Sequence, residues 1–271
     1  MDQSTYQVKS GWPFWGLIIL ITAFYSFLII GMLVADMQYA PPTTLWGSLA
    51  KPEIRYATKL SLISCTVAAF LSLVVAIPTG YLLSRTDFPG RRLLDALLDI
   101  PIVLPPLVIG ISLLILFQTS VGQFVEKYIT FTYTVAGVVL AQFTVACAFA
   151  VRTMRSTFDQ LSFRPEAVAL TLGCNRGQAF LYVGLPAAWR GVVTAFTLAW
   201  ARSLGEFGPI LVFAGATRFK TEVLPTTVFL ELSVGELNAA VAVSLLMVAI
   251  ALLVLIVIRF FGESGRAYDF R

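Results

Sequence analysis

The chain has 271 residues, of which 58% are hydrophobic and only 13% are charged, and its mean hydropathy is +0.85. Soluble domains carry about 25% charged residues, so this composition excludes an ordinary soluble domain and indicates an integral membrane protein. The net charge of +4 does not indicate a nucleic-acid partner, because Lys and Arg in membrane proteins concentrate on cytoplasmic flanks. The chain has no histidine and its three cysteines lack the spacing of a metal site, so we expect no bound metal.

Six apolar stretches are long enough for transmembrane helices, each of which needs about 20 mostly apolar residues. They cover residues 12–37, 56–84, 93–118, 133–154, 189–215 and 238–261. We therefore predict an all-α polytopic bundle of about six transmembrane helices. The first stretch is too long for a signal-peptide core and lacks an Ala-x-Ala cleavage pattern, so we predict that it is a transmembrane helix. The alternative is a cleaved signal peptide.

The distribution of basic residues predicts the orientation of the bundle. With both termini in the cytoplasm, twelve basic residues lie on the cytoplasmic side: Lys9, Arg85, Arg91, Arg92, Arg152, Arg155, Arg164, Arg176, Arg190, Arg259, Arg266 and Arg271. Six lie on the outer side: Lys51, Arg55, Lys59, Lys127, Arg218 and Lys220. This bias predicts a multi-pass membrane protein, surrounded by lipid, with both termini cytoplasmic.

The same topology divides the chain into three parts. Residues 1–55 form an N-terminal transmembrane helix and an outer segment, residues 56–262 form the transmembrane domain, and residues 263–271 form a cytoplasmic tail. Within the transmembrane domain, residues 156–188 form the longest cytoplasmic loop.

Three prolines interrupt the third predicted span, which contains the sequence DIPIVLPPLVIGISLL. Pro101, Pro105 and Pro106 cannot all belong to one straight helix, because proline lacks a backbone N–H and clashes with the preceding turn. We predict a break or kink here. It either shapes a pathway through the membrane or is a packing kink near the membrane surface.

The long cytoplasmic loop has the pattern of two short helices separated by a sharp turn. Glu166 suits a helix N-terminus, and Gly173 suits the left-handed position that ends a helix. Asn175 and Gln178 have the spacing of a variant capping box for a second helix. The first helix has an apolar side formed by Val168, Ala169 and Leu172, which either packs on the chain's own helices or fills a groove on a cytoplasmic partner.

This loop resembles the EAA loop of ABC-importer permeases, in which Glu-Ala-Ala, three residues, Gly, nine residues and aliphatic-x-Leu-Pro follow in order. The positions that match are Ala167, Val168, Ala169, Gly173, Val183, Leu185 and Pro186. Ala167 stands where the family has Glu, and Glu166 lies one residue earlier. The resemblance implies that the loop, including Glu166, forms a coupling helix that docks on a separate ATP-binding subunit. The chain itself lacks a Gly-x-x-x-x-Gly-Lys-Ser/Thr phosphate loop.

The fifth predicted span contains charged residues within ARSLGEFGPILVFAG. Arg202 and Glu206 are four residues apart and are expected on one face of a helix. Charges inside a membrane cost roughly 2.5–3.5 kcal/mol each on insertion scales, so they face protein or a wet cavity. Either they form a structural ion pair, or they line a pathway in which Arg202 attracts an anion and Glu206 orients it, with Ser203 between them.

The fifth span is also similar to the Arg-x-hydrophobic-Gly-Glu-aromatic-Gly segment of molybdate, tungstate and sulfate permeases. LPPLVIGISLL in the third span and KTEVLPTTVFLEL after the fifth resemble the corresponding segments of those proteins. The resemblance extends from about Ser61 to Phe261. It implies an ABC-importer permease of the type I fold that transports a tetrahedral oxyanion: molybdate, tungstate or sulfate.

The resemblance also implies a set of partners. These are two ATP-binding subunits that hold ATP and Mg, a second permease subunit expected to be identical, and a solute-binding protein outside. The chain would then be a transport subunit without enzymatic activity or a cofactor of its own. The alternatives are a self-sufficient secondary transporter or channel, and an intramembrane enzyme, for which the sequence offers no catalytic pattern.

Overall fold

The computed structural model describes residues 12–39 and 42–263, and all regular elements in these ranges are helical. The helices are α1 (Trp12–Tyr39), α2 (Pro42–Leu49), α3 (Pro52–Arg85), α4 (Arg91–Val103), α5 (Pro106–Gln118), α6 (Ser120–Glu126), α7 (Val135–Gln160), α8 (Arg164–Thr171), α9 (Arg176–Ala179), α10 (Leu185–Ala187), α11 (Trp189–Leu204), α12 (Leu224–Val234) and α13 (Leu237–Glu263). Two π-helical segments, Phe180–Gly184 and Ile210–Ala214, complete the described elements. The predicted all-α fold class is confirmed.

Four of the described helices, α1, α3, α7 and α13, are long and apolar enough to cross a membrane. The number rises to six if each of two bent helix pairs forms one span. Helix α3 runs across the domain boundary predicted between residues 55 and 56. The predicted tail at 263–271 lies outside the described residues except for Glu263, where α13 ends.

The centre of the bundle is formed by α3, α7 and α11, which pack against one another through small residues. Ala69 and Ala76 of α3, Ala146 and Ala150 of α7, and Ala195 of α11 are fully buried. Small side chains let helix backbones approach closely, which is the main packing device inside membranes. Helix α1 differs, since its described side chains are mostly exposed and it contacts α13.

A glycine in α3 marks a close approach of α3 and α7. A Cβ atom at Gly80 would lie 2.8 Å from the backbone nitrogen of Arg155 and 2.8 Å from Cβ of Met154. Replacing Gly80 with alanine should therefore force the two helices apart, at a cost of about 1–3 kcal/mol. We expect a lower thermal midpoint for the purified Gly80→Ala protein.

The matched control for this prediction is Gly31→Ala in α1, where an added Cβ would meet nothing within 4 Å. Because alanine favours helix over glycine, this variant should be as stable as the parent or slightly more so. Equal thermal midpoints for Gly80→Ala and the parent would contradict the close approach.

The third predicted span is divided into α4 and α5, whose axes differ by 113°. The break falls at Leu104 and Pro105, while Pro106 begins α5 and Pro101 lies inside α4. The fifth predicted span is also divided, because α11 ends at Leu204 and helical structure resumes at Gly208. The two breaks lie side by side, since a Cβ at Gly208 would be 3.0 Å from the backbone nitrogen of Leu107.

Candidate functional site

The loop between α7 and α11 contains a well-defined helix end at Gly173. Its φ of +96° is the left-handed conformation that the sequence predicts, and nothing lies within 4 Å of a Cβ placed there. The backbone N–H of Cys174 donates to the carbonyl of Ala169, and that of Gly173 donates to Leu170. These two bonds form a Schellman motif, which satisfies carbonyls at the end of α8.

The two sides of α8 face different surroundings. Glu166 and Ala169 are buried at 3% and 8% exposure, whereas Val168 and Leu172 are 56% and 81% exposed. The apolar side predicted from the sequence is therefore split. Ala169 is covered by the chain itself, and Val168 with Leu172 forms an exposed apolar surface.

The buried carboxylate of Glu166 contacts the end of α3. The hydroxyl of Tyr81 donates to Oε2 at 2.6 Å, and Nη2 of Arg85 lies 3.5 Å from Oε1. Arg85 also donates to the carbonyl of Leu161 at 3.0 Å. The residue expected to face a partner thus faces the bundle, and Ala167 beside it is half-buried.

The second half of the loop leads continuously towards α11. Asn175 and Gln178 form the predicted capping box at the start of α9. The helical path then continues through the π segment and ends with α10, so Leu185 and Pro186 lie in its last three residues. Val183 and Leu185 are half-buried and Pro186 is exposed; the axis bends by 71° between α10 and α11.

An open pocket with a volume of about 280 Å³ lies where the two broken spans meet. Its lining consists of Pro105, Pro106, Leu107, Arg202, Gly205, Glu206, Phe207 and Gly208. Most of this lining is apolar, and Arg202 and Glu206 are its charged members. The pocket thus brings together the predicted proline break and the predicted charged pair.

Arg202 and Glu206 form an ion pair, with Nη1 of Arg202 2.8 Å from Oε2 of Glu206. The side chain of Glu206 is 1% exposed, whereas that of Arg202 is 29% exposed and lies 5.6 Å from the ring centre of Phe149. The expectation that both residues lie on one helix is wrong. Helix α11 ends at Leu204, with Gly205 as its C-cap, and helical structure resumes only at Gly208. Pro209, in this first turn, has no backbone donor with which to continue α11.

Ser203 occupies the last turn of α11 and is buried. Its carbonyl accepts hydrogen bonds from the backbone N–H of Glu206 at 3.2 Å and from Nε2 of Gln142 at 3.3 Å. Gln142 lies on α7 and is 1% exposed. It therefore ties the broken end of α11 to the centre of the bundle.

Sequence reasoning missed Gln142, Tyr81 and Arg85. A polar residue within an otherwise apolar span is a signal of function or of interhelical bonding, and Gln142 offers it. Tyr81 and Arg85 carry no such signal, because aromatic and basic residues are common at the ends of spans.

At the other end of α3, a second charged cluster surrounds Glu231. This carboxylate is 2% exposed and pairs with Arg218 at 2.9 Å and with Lys51 at 3.5 Å. Glu222 is fully buried nearby, with the hydroxyl of Thr227 as a neighbour of its carboxylate. Burial raises the pKa of Glu222 above its ordinary value, because water no longer solvates the ionised form.

The raised pKa predicts how Glu222 affects stability. The folded state binds the proton of Glu222 more tightly than the unfolded state does. The free energy of unfolding therefore falls as the pH rises from the ordinary pKa of a glutamate to the raised pKa of Glu222 in the folded protein. Replacement of Glu222 by glutamine should remove this loss and raise the thermal midpoint at pH 7 by about 2–4 °C. The advantage over the parent should shrink as the pH is lowered below the ordinary pKa.

The matched control is Glu231→Gln, which removes a carboxylate that has two basic partners. Its thermal midpoint at pH 7 should fall, because the partners lose their counter-charge. A fall for Glu222→Gln of the same size would show that Glu222 is stabilised in its ionised form.

Comparison with known proteins places these features in a family. Residues 68–264 match the family described as the binding-protein-dependent transport system inner membrane component. The chain belongs to this family. It is thus a multi-pass inner-membrane permease component of an ABC transporter and not itself catalytic, and such a system works with an ATP-binding subunit and a binding protein. This membership decides against a self-sufficient transporter and against an intramembrane enzyme.

Relatives of this permease are named as sulfate and molybdenum permeases. The sulfate transport system permease protein CysT of Escherichia coli (strain K12) is 36% identical over 227 residues, covering 83% of this chain and 81% of that protein. The molybdenum transport system permease protein ModB of Mycobacterium tuberculosis (strain ATCC 25618 / H37Rv) is 36% identical over 214 residues, covering 78% and 81%.

A solved structure supports the permease fold. A chain of the bacterial alginate ABC transporter, in complex with an alginate pentasaccharide-bound periplasmic protein, superposes with a TM-score of 0.74 over 93% of this chain and 94% of that chain. The sequence identity is 14%, so this likeness concerns the fold alone.

Proposed function

We propose that the permease imports a tetrahedral oxyanion of the sulfate and molybdate class. The observation on which this rests is the pocket between the two broken spans, where Arg202, paired with Glu206 and 29% exposed, presents its guanidinium beside apolar walls. A partly exposed guanidinium suits an oxyanion, because it presents several N–H donors in a fixed plane. The names of the sulfate and molybdenum permeases that it resembles support the same class.

Two copies of the chain would line the path, because six spans with one charged span make a poor closed pore alone. One ATP-binding subunit would dock on the loop 156–188 of each copy, so that two are present in the assembly. The contact would be made by Val168 and Leu172 on the exposed side of α8. Gly173 would hold the geometry of that loop. A solute-binding protein would deliver the anion on the opposite face and set most of the specificity.

The test is uptake by proteoliposomes that contain the chain, its ATP-binding subunit and its binding protein. Radioactive sulfate and molybdate should accumulate only when ATP is present on the side of the membrane that carries the ATP-binding subunit. Each anion should compete with the uptake of the other. Chloride and a neutral sugar serve as controls and should neither accumulate nor compete. Competition by the sugar, or oxyanion uptake without ATPase, would reject the proposal.

The orientation with both termini in the cytoplasm is part of the proposal and is testable by thiol labelling. Cys174 lies in the loop 156–188, and Lys220 is exposed at the other end of the bundle. In intact cells, an impermeant maleimide should label a Lys220→Cys variant but not the native Cys174. Permeabilised cells provide the control, in which both positions should react, and labelling of Cys174 alone in intact cells would invert the topology.

A further inference from the structure

The carboxylate of Glu166 is approached by residues from two other parts of the chain. Tyr81 and Arg85 approach it from the end of α3. Gly184 approaches it from the π segment, where an added Cβ would lie 3.2 Å from Cδ of Glu166. Glycine at this position therefore leaves the room that the carboxylate occupies.

Aromatic rings pack against Tyr81 and Arg85, the two residues that contact Glu166. The ring of Tyr81 lies 4.5 Å from that of Phe180 and 5.3 Å from that of Phe158. The guanidinium of Arg85 lies 5.7 Å from the ring centre of Phe163, which directly precedes α8. Rings packed at these distances restrict the rotation of Tyr81 and Arg85, so the polar contacts to Glu166 have a rigid frame.

A buried carboxylate is a strong link between two elements, since removing either partner leaves charge without compensation. Hydrogen bonds to an ionised group are also roughly twice as strong as neutral ones. The Glu166 contacts are of this kind, and they join a short loop helix to a helix of 34 residues at the centre of the bundle.

We propose that Glu166 is a positioning residue that fastens α8 to the end of α3. Movement of the docked loop is thereby transmitted directly to a central span, in addition to the continuous path into α11. This inference rests on the proposed docking of an ATP-binding subunit on the exposed side of α8. Glu166 contributes nothing to that docking surface, because its side chain faces the bundle.

The position of Glu166 in the sequence explains why it contacts the bundle, whereas Val168 lies on the proposed docking surface. One residue corresponds to about 100° of rotation around an α-helix. Glu166 therefore points to the end of α3, whereas Val168, two residues further on, is 56% exposed on another side. A coupling loop with these two sides can hold a partner and its own bundle at once.

The experiment uses the complete transporter with Tyr81→Phe, Glu166→Gln and the double variant. Tyr81→Phe removes one hydroxyl, and Glu166→Gln keeps the shape of the side chain but loses its charge. The exposed residues Tyr128 and Glu236 provide matched controls, Tyr128→Phe and Glu236→Gln. The measurements are folded yield, recovery of the ATP-binding subunit, and ATP hydrolysis per assembled complex with binding protein that has been loaded with sulfate or molybdate.

We expect both single variants to assemble with the ATP-binding subunit within about twofold of the parent, while stimulated hydrolysis per complex falls about tenfold. The double variant should be no worse than the weaker single, because both changes break one link. The two controls should behave as the parent. Loss of ATPase recovery at full folded yield would instead make Glu166 a docking residue, and activity that falls only in step with folded yield would make it purely structural. Either result overturns the proposal.

Hydrogen exchange separates this inference from the oxyanion proposal, because it needs no substrate. In the purified chain, amides of α8 should exchange about tenfold faster in Tyr81→Phe and Glu166→Gln, with the centre of α3 unchanged. Unchanged exchange in α8 would reject the link, even if sulfate or molybdate uptake is found. Faster exchange without any oxyanion uptake would keep the link and reject only the substrate class.

Discussion

Replacement of Gly173 by valine is expected to abolish transport without preventing insertion into the membrane. The glycine has a φ of +96°, which is unfavourable for any side chain with a Cβ and most unfavourable for a β-branched one. Space is not the problem, since nothing lies within 4 Å of an added Cβ. The strain would instead open the Schellman motif and turn Val168 and Leu172 away from the ATP-binding subunit.

The expected loss of ATP-binding subunit recovery follows from the backbone strain at position 173. This strain is about 1–2 kcal/mol for a residue with a Cβ and larger for valine. Since 1.4 kcal/mol is a factor of ten, recovery of the ATP-binding subunit should fall about tenfold or more. Co-purification measures this loss, and labelling of the membrane fraction measures insertion.

Two variants sharpen the test. Gly173→Asn should retain most of the ATPase recovery, because asparagine tolerates the left-handed conformation. Gly177→Val changes a glycine in the same loop whose added Cβ would meet only Oδ1 of Asn175 at 3.5 Å, and it should have a small effect. If Gly173→Val recovers the full amount of ATP-binding subunit and transports normally, the coupling role of this turn is wrong.

The long helices and the ends of the loop helices could be predicted from the sequence because their signals are local. Apolar length decides α3, α7 and α13, and the left-handed preference of glycine decides the end of α8 at Gly173. The capping box of Asn175 with Gln178 is local in the same way. These features depend on residues within one or two turns of each other.

The direction of Glu166 could not be predicted, because it depends on contacts across 85 positions of the chain. The same is true of Gln142, whose bond to the carbonyl of Ser203 spans 61 positions. A pattern of spaced residues identifies the coupling loop but does not say which side of α8 faces the bundle. Only the contacts of Glu166 with Tyr81 and Arg85 at the end of α3 determine that.

The prolines of the third span indicated a break but not its angle of 113°. The angle depends on what the second half packs against, and here Gly110 of α5 approaches Pro209, with an added Cβ 2.9 Å from its Cα. The break before Pro209 in the fifth span is not evident from the four-residue spacing of Arg202 and Glu206, which predicts a continuous helix. The two glycines and the proline around Glu206 are the local signal that favours a break.

The largest effect at the pocket is expected from Arg202→Gln. This change leaves the Glu206 carboxylate buried at 1% exposure without its counter-charge, which costs about 3–5 kcal/mol. Glu206→Gln should cost less, because Arg202 is 29% exposed and keeps its contact with Phe149. Folded yield should therefore fall further for Arg202→Gln than for Glu206→Gln.

The double variant distinguishes a structural pair from a pathway. With both charges removed, no unpaired charge stays buried, so folded yield should return close to that of the parent. If Arg202 meets the anion in the pocket, uptake per folded transporter and ATP hydrolysis stimulated by the loaded binding protein should stay low. We expect this outcome, because Arg202 is the basic residue that lines the pocket between the two breaks.

The pair of Arg218 and Glu231 provides the matched control, since its side chains are 38% and 2% exposed and neither residue lines the pocket. Arg218→Gln with Glu231→Gln should give uptake that follows its folded yield. For Arg202→Gln with Glu206→Gln, the two quantities should separate, with yield restored and uptake lost. Near-normal uptake by this double variant would reduce the pair to a structural role, and the anion would then have to pass the two breaks without a fixed positive charge at Arg202.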